Sequence, residues 1–428
     1  MKNINIVLWE DFTADMFYPL TLTRPVFHLR TGVFSFLERA KFFFQPKSVA
    51  GVCRSNISPV INYEGILTDL DSIDRRLPTL FLNGRAFFTK RAATHIISIE
   101  NATVFVSRGL PVALYLPAGN EEWRKYFENP LDKSTYQKIM GSYDAIELDI
   151  HVLSSLWEII SLNGEFILED FLTFFRRQVI QFTGDSRVAL YNPDNIYISP
   201  GVRTDAYAVL DAREGPIIIG KDAQIHTGAY IQGPAAIGVN CQIMPYTRFR
   251  EESSVGPDCR IGGEIEASII IGHSNKYHDG FLGHSYIGEW VNFGALTTNS
   301  DLKNNYHEIR VAMPGEDVST GRNKVGIFVG DHAKFGIGTL MSAGSTVGIS
   351  ANLYGGGTLA KYNPSFIWGG YADGFRHYDL EKAIDTAKMV MKRRGKKMFR
   401  AYELVMRSHH GYYAEDRTNY IVKNSGNK

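Results

Sequence analysis

The sequence predicts an α/β domain with a mainly parallel sheet, then a left-handed parallel β-helix of hexapeptide repeats and a C-terminal helix. Three observations predict it. Large apolar residues recur every six positions, from Ile219 through Ile225, Ile231, Ile237, Ile243, Phe249 and Val255 to Ile261. Before that repeat, short apolar runs alternate with helical stretches. After Gly369-Gly370 the repeat stops, and a charged helical stretch runs from Asp379 to His409. The divisions expected are 1–192, 193–370 and 371–428, the first near Asn192-Pro193-Asp194.

A period of six fits neither an amphipathic helix nor a simple alternating strand. It fits a triangular prism with one hexapeptide per face. The large residue points inward, and a small one four positions later (Ala223, Ala229, Ala235, Cys241) fills the space beside it. Coils bury their faces only against each other, so many must stack. The register returns at Ile287 and Phe293, and again at Val329, Phe335, Met341, Val347 and Leu353. Two interruptions, Glu264 to Gly283 and Asn299 to about Lys324, read as polar segments on a rigid scaffold, the second leaving it as a long loop. Chemistry concentrates on such segments.

In the first domain, Ile4–Leu8, Thr79–Leu82, Thr103–Val106 and Val112–Leu116 read as strands. Phe34–Phe44, Glu121–Phe127 and Asp170–Gln181 read as helices. The first strand is followed by Trp9-Glu10-Asp11-Phe12 rather than by a glycine-rich phosphate loop. A chain of 428 residues needs more than one core. With 44% hydrophobic residues, 21% charged and a net charge of +1, composition gives no argument for nucleic acid or an anionic membrane as partner. Cys53, Cys241 and Cys259 are odd in number, without metal-ligand spacing, and read as buried thiols in a reducing compartment. No run is long and apolar enough to span a membrane, and Met1–Glu10 lacks the apolar core of a secretion signal, so a cytoplasmic location is expected. The basic run Lys392-Arg393-Arg394 with Lys396-Lys397 reads as a solvated helix packed on the prism, or as an anion-binding surface.

His278 is the sharpest chemical candidate, in Ser274-Asn275-Lys276-Tyr277-His278-Asp279-Gly280. Acyl transfer to an amine needs a base, and imidazole titrates in the right range. Asp279 or another carboxylate would orient the ring; the plainer alternative is a surface histidine without a role. Arg248 and Arg250 flank the inward Phe249 and project outward, suited to a sugar phosphate or to salt bridges with Glu251 and Glu252. Asn292 faces outward, and the small Ala295 leaves backbone N–H groups reachable to polarise a thioester. In the first domain, Arg24 and Arg30 are candidates for holding phosphates. Asn83 and Arg85 lie at a strand's C-terminal end, where α/β sheets bind ligands.

Together these residues resemble the bifunctional N-acetylglucosamine-1-phosphate uridylyltransferase / glucosamine-1-phosphate N-acetyltransferase family. The motif Ser274–Gly283 followed by Tyr286-Ile287-Gly288-Glu289-Trp290 is similar to a divergent branch found in Bacteroidetes-type bacteria. So are Pro19-Leu20-Thr21, Arg24-Pro25, Leu29-Arg30-Thr31-Gly32 and Asn83-Gly84-Arg85. The resemblance covers nearly the whole chain. It implies a nucleotidyltransferase-like first domain, an acyltransferase-like prism and a homotrimer whose sites lie between prisms. It implies that His278 takes the proton of the sugar amine and that Arg250 binds the sugar phosphate. Asn292 would contact the acceptor, Lys303 would reach across a trimer interface, and Ala295 would sit beside the acetyl group. Lys276 is the candidate for a substrate-binding lysine near the histidine. Arg24, Arg30, Asn83 and Arg85 would contact nucleotide. Acetyl-CoA would be the donor, and Mg²⁺ is implied for the nucleotidyltransferase half. Phe281 replaces a family tyrosine, and Asn83 replaces a metal-binding aspartate.

The function expected is acyl transfer from acyl-CoA to an amino-sugar 1-phosphate, with a first domain that makes or binds a nucleotide sugar. Two alternatives stand beside it. One is a sugar-1-phosphate nucleotidyltransferase using UTP or dTTP whose prism only assembles the oligomer. The other is a non-catalytic nucleotide-sugar-binding protein.

Overall fold

The computed structural model describes residues 3–178 and 184–425. Contacts divide the chain into two compact units: Met1–Phe17, Thr23–Leu29 and Phe34–Ser155 in one, Tyr18–Leu22, Arg30–Val33 and Leu156–Lys428 in the other. Segment 156–192, which the sequence pattern associates with the first domain, thus groups by contacts with the repeat.

The first unit is built on a six-stranded sheet in the order Ser48–Val52, Asn5–Trp9, Thr79–Asn83, Leu110–Leu116, Thr103–Ser107, Asp144–Glu147. Only Leu110–Leu116 runs against its neighbours. The reason is local: Arg108 and Gly109 both take positive φ (51° and 77°), the geometry of a tight hairpin turn. The inner strands are buried along their whole length, as a sheet covered on both faces requires. Helix Phe36–Phe44 starts at a capping box formed by Ser35 and Glu38. The helix expected over Glu121–Phe127 is one 3₁₀ turn, Glu122–Lys125; no side chain caps its start, and Asn129-Pro130 follows shortly.

The second unit is a three-faced column of stacked strands, two faces of nine and ten strands and a third of six and then three, all parallel but for the last, Gly374–His377. Ile217 pairs with Ala235 and Ala235 with Ser253; Gln224 pairs with Gln242 and Gln242 with Arg260. Each step is three hexapeptides. The predicted anchors from Ile219 to Ile261 are all buried, and Ala223, Ala229, Ala235, Cys241 and Cys259 are fully enclosed beside them. All three cysteines are free and buried. Corners fall on residues with positive φ, among them Asp222, Asn240 and Asp258, types that tolerate this conformation.

The expected interruption at Glu264–Gly283 does not break the column. It contributes four strands, Glu264–Glu266, Ile269–Gly272, Asn275–Lys276 and Phe281–Gly283. The coil is shortened here: Ser254 pairs with Ile269 and Ile269 with Tyr286. Buried serine hydroxyls accompany the tightened corners, Ser268 donating to Glu266 O (2.8 Å), Ser274 to Gly288 O (2.9 Å) and Ser285 to Gly283 O (2.7 Å). The second interruption does leave the column. Tyr286 pairs with Phe328, so the excursion lies between them, closed at its root by the Leu302–Lys324 bridge and carrying the hairpin Arg310–Ala312/Asp317–Ser319.

Helix Leu156–Asp170 packs on the column, where Asn163 donates to Glu252 O (2.8 Å) and Ser254 Oγ (3.0 Å). It continues as a π-helical turn, Phe171–Phe175, and has ended there: residues 176–178 are turn and coil, so the helix expected over Asp170–Gln181 lies earlier in the chain, and 179–181 fall outside the described residues. The C-terminal tail forms helices Leu380–Lys392, Arg400–Tyr412 and Ala414–Ser425. Ala383, Ile384, Ala387, Tyr402 and Met406 pack against Ile349, Phe366 and Tyr378, with Tyr18 and Leu22 in the same cluster. The basic helical tail is thus anchored on the column by an apolar face.

Candidate functional site

Of the predicted nucleotide contacts, Asn83 and Arg85 are brought together in the first unit but turned inward. Asp11 Oδ2 accepts from Arg85 Nε (2.8 Å) and from Tyr136 OH (2.5 Å). Arg85 also donates to Leu153 O (2.9 Å), and Asn83 donates to Tyr136 OH (3.0 Å) and Pro111 O (3.2 Å). All three polar residues are buried. Burial pushes the Asp11 carboxyl up, but the Arg85 guanidinium and hydrogen bonds from Thr13 and Tyr136 outweigh it and hold the group below its usual range. This network fastens the ends of two strands and leaves Arg85 no free fork for a phosphate. Arg24 is buried, and its carbonyl accepts from Arg54, whose guanidinium is itself paired with Glu10 at 3.1 Å. Arg30 belongs to the second unit, where its main chain brackets the Tyr286 hydroxyl (2.7 and 2.8 Å).

On the column, His278 stands at an exposed corner. Its ring makes an edge contact with Tyr277 at 5.1 Å and has no carboxylate within ion-pair range among the described residues. Lys276 is corrected: it is 1% exposed and pairs with Ile261, the inward anchor of the preceding coil. The shortened coil puts a lysine where an apolar residue would stand, and its amine donates to His278 O (2.5 Å) and Gly262 O (3.4 Å). Burial pushes that amine down to about 8. It is closed to a substrate.

Asn292 is exposed and accepts from Asn275 at 3.4 Å; Asn275 in turn accepts from Arg394 of the tail at 2.7 Å. Ala295 is half-buried beside it, and its carbonyl accepts from Gly338 N. Arg250 is committed to carboxylates, with Glu266 at 2.5 Å and Glu251 at 3.2 Å. Lys303 lies on the excursion, donates to Glu308 O, and lines a depression with Ser342 and Lys361.

A site the sequence reading missed lies one hexapeptide beyond His278. His284 Nδ1 is 2.7 Å from Asp301 Oδ2, and both side chains are mostly buried (16% and 14% exposed). They sit at the root of the excursion, where Val325 N donates to Asp301 O. His284 opens on a cavity of about 530 Å³ lined also by Ile160, Glu252, Glu308, Arg322 and Lys324. Burial lifts the Glu252 carboxyl above its usual range. Burial also raises Asp301, but the hydrogen bond and charge of His284, with Lys324, outweigh this and hold it low.

Glu266, His284 and Asp301 offer ligand atoms within 4.8 Å of one another, a spacing a metal can use. Both Glu266 oxygens are already engaged, by Arg250 and by Lys324 at 3.3 Å, so ammonium and guanidinium supply the positive charge there. A signal for this pair existed: in a column, residues about one coil apart stack, and 284 and 301 are such a pair.

Residues 6–178 match the family model for sugar nucleotidyl transferases. A bifunctional sugar-1-phosphate nucleotidylyltransferase/acetyltransferase of Sulfurisphaera tokodaii is 37% identical over 150 residues, 35% of this chain and 37% of the relative. A bifunctional GlmU protein of Gloeobacter violaceus is 36% identical over 106 residues, 24% of this chain and 22% of the relative. The match thus spans well under half the length of these curated relatives. Among solved structures, the UDP-N-acetylglucosamine acyltransferase of Francisella novicida aligns with 57% of this chain and 86% of its own, at 12% identity and a TM-score of 0.33.

Proposed function

We propose that this chain, whose residues 6–178 match the sugar nucleotidyl transferase family and which is related to the bifunctional nucleotidylyltransferase/acetyltransferases, is a two-headed sugar-phosphate transferase. The column would move an acetyl or related acyl group from acyl-CoA to the amine of an amino-sugar 1-phosphate. The first domain would make or bind a nucleotide sugar from a nucleoside triphosphate and the sugar 1-phosphate. UDP-N-acetylglucosamine is the product class this reading favours, in nucleotide-sugar biosynthesis for the cell envelope. The division of labour assigned is 1–192 for nucleotide chemistry, 193–370 for acyl transfer and 371–428 as a helical tail. The observation that carries the reading is the joining, in one chain, of the matched family to a hexapeptide column that bears the Ser274–Gly283 motif with its exposed histidine.

The acyl step needs three things from the protein: an acceptor seat, a proton acceptor and donors for the oxyanion. On the resemblance, Asn292 and Ala295 contact acceptor and acetyl group, His278 takes the proton, and Lys303 is lent by a neighbouring column of a homotrimer. No helix among the described residues is long and apolar enough to cross a membrane, consistent with work on soluble substrates in the cytoplasm.

The residues around Asn83 do not fit Mg²⁺. The amide at that position is spent on Tyr136 and Pro111, and the adjacent Asp11 carboxylate is paired with Arg85.

The test is one assay read twice. Purified protein is given glucosamine 1-phosphate and acetyl-CoA while free thiol is followed, then UTP or dTTP with Mg²⁺ while pyrophosphate is followed. Thiol release that requires the amino sugar is the expected result. Its absence overturns the acyl-transfer half; absence of pyrophosphate reduces the first domain to binding.

A further inference from the structure

We infer that the C-terminal tail completes the acceptor seat: Arg394 fixes, through Asn275, which way the Asn292 amide lies, so that Asn292 offers an N–H to an oxygen of the sugar phosphate. This rests on the acyl-transfer reading above and leaves His278 as the proton acceptor. Arg394 and Asn275 are positioning residues.

The turn that carries Arg394 is held on the column from both sides. Before it, helix Leu380–Lys392 buries Ala383, Ile384, Ala387 and Met391. After it, Tyr402 of helix Arg400–Tyr412 donates from its hydroxyl to Asp331 Oδ2 (3.0 Å). Between the helices the chain reverses at Gly395 (φ 69°), and Lys396 N donates to Met391 O (3.0 Å). From this turn the guanidinium reaches across to the column, where Arg394 Nη2 donates to Asn275 Oδ1 at 2.7 Å.

Arg260, Asn275 and Asn292 stand one above another in the strand register of a single face. Asn275 Nδ2 donates on to Asn292 Oδ1 at 3.4 Å. Among the described residues no carboxylate lies within ion-pair range of Arg394. The Asp258 carboxylate, which acts on it from farther off, is engaged by Asn240 Nδ2 (2.5 Å) and His273 Nδ1 (3.3 Å). The guanidinium is thus spent on a neutral amide.

That choice of partner sets a direction. A guanidinium donates hydrogen bonds and accepts none. Asn275 must therefore turn Oδ1 towards it, which leaves Nδ2 to donate along the face. Asn292 must then receive with Oδ1, which leaves its own Nδ2 as the group on offer; that nitrogen has no partner among the described residues. Without the arginine either amide could turn over, and Asn292 would present its carbonyl as readily as its N–H. The tail so selects a substrate atom that accepts a hydrogen bond, a hydroxyl or phosphate oxygen.

The experiment measures thiol release by the full chain from acetyl-CoA with varied glucosamine 1-phosphate. Asn275→Asp keeps a partner for Arg394 but can only accept, so Asn292 must turn its N–H groups towards it and present the carbonyl instead. The KM for the sugar phosphate is expected to rise about tenfold with a smaller change in kcat. The denaturant midpoint should not fall, because the tail is now held by a charged pair; a purely structural role would leave KM alone. Arg394→Ala tests the same chain of amides by a second route. It should raise KM about 3–10-fold in the wild-type background and less than about twofold in an Asn292→Ala background. Far-UV circular dichroism checks folding. The inference is overturned if wild type transfers acetyl while Asn275→Asp stays within about threefold of its KM, or if Arg394→Ala raises KM by the same factor with and without Asn292. Failure of the wild type itself to release thiol overturns the proposed function and this assignment together.

Discussion

His278 and His284 stand one hexapeptide apart on the same column, and their surroundings differ in every respect that matters for proton transfer. The first ring is exposed and touches Tyr277. The second is mostly buried, tied to a carboxylate at 2.7 Å and open to a cavity. The difference comes from what lies one coil further along the chain. Past His278 the following coil is ordinary, and Leu296 N simply donates to Asp279 O. Past His284 it is the root of the excursion, which returns Asp301, Arg322 and Lys324 to the ring. Only the tertiary structure distinguishes the two rings: His284 has a carboxylate partner in its own chain, and His278 has none among the described residues.

The largest effect expected separates the two rings. His278→Ala should cost at least about 100-fold in kcat while His284→Ala costs less than about tenfold, measured by thiol release at saturating substrates. The reverse order would move the proton to His284.

Next comes Asp301→Asn, which removes the carboxylate that holds the His284 ring and should cost roughly 1–3 kcal/mol, read from denaturant midpoints. A loss of kcat of about 100-fold or more in a folded variant would instead place the pair in the reaction.

Gly283→Ala should act on the same pair without touching either partner. An added Cβ would lie 2.7 Å from Asp301 Oδ2 and 2.3 Å from the Phe281 ring, so the carboxylate must give way. A loss of roughly 1–3 kcal/mol in stability is expected, read as a lower denaturant midpoint.

The smallest effect on turnover belongs to Lys276→Met, on the His278 side. Lys276 has its folded pKa lowered to about 8 by burial, below the unfolded value. Between these two values the unfolded state binds more protons, so wild-type stability should rise as pH rises from about 8 towards 10.4. Lys276→Met should remove this rise, and denaturant midpoints across the window measure it. Acyl transfer near neutral pH should change little, because the amine faces the column interior.

Much of the column was legible from residue spacing. The anchors Ile219 to Ile261 and the small residues beside them are all buried as the period requires. Most strands of the first sheet were legible as well, because buried parallel strands read as continuous apolar runs. The helix over Glu121–Phe127 was not, since burial of Trp123 and Phe127 mimics helical spacing in a segment that makes a single turn. Asn83 and Arg85 were correctly placed at a strand end, yet their side chains turn inward to Asp11 and Tyr136, partners more than 50 residues away.

By itself the sequence determined the three-faced column and which side chains point into it, because a six-residue repeat has only one way to bury its large residues. It also determined that an excursion must leave the column before Lys324. Only the tertiary structure decided that Lys276 faces inward and that His284 meets Asp301. The physical reason is register: from Ser254 to Tyr286 the coils are shorter than three hexapeptides, so counting by sixes no longer tells which residues stack.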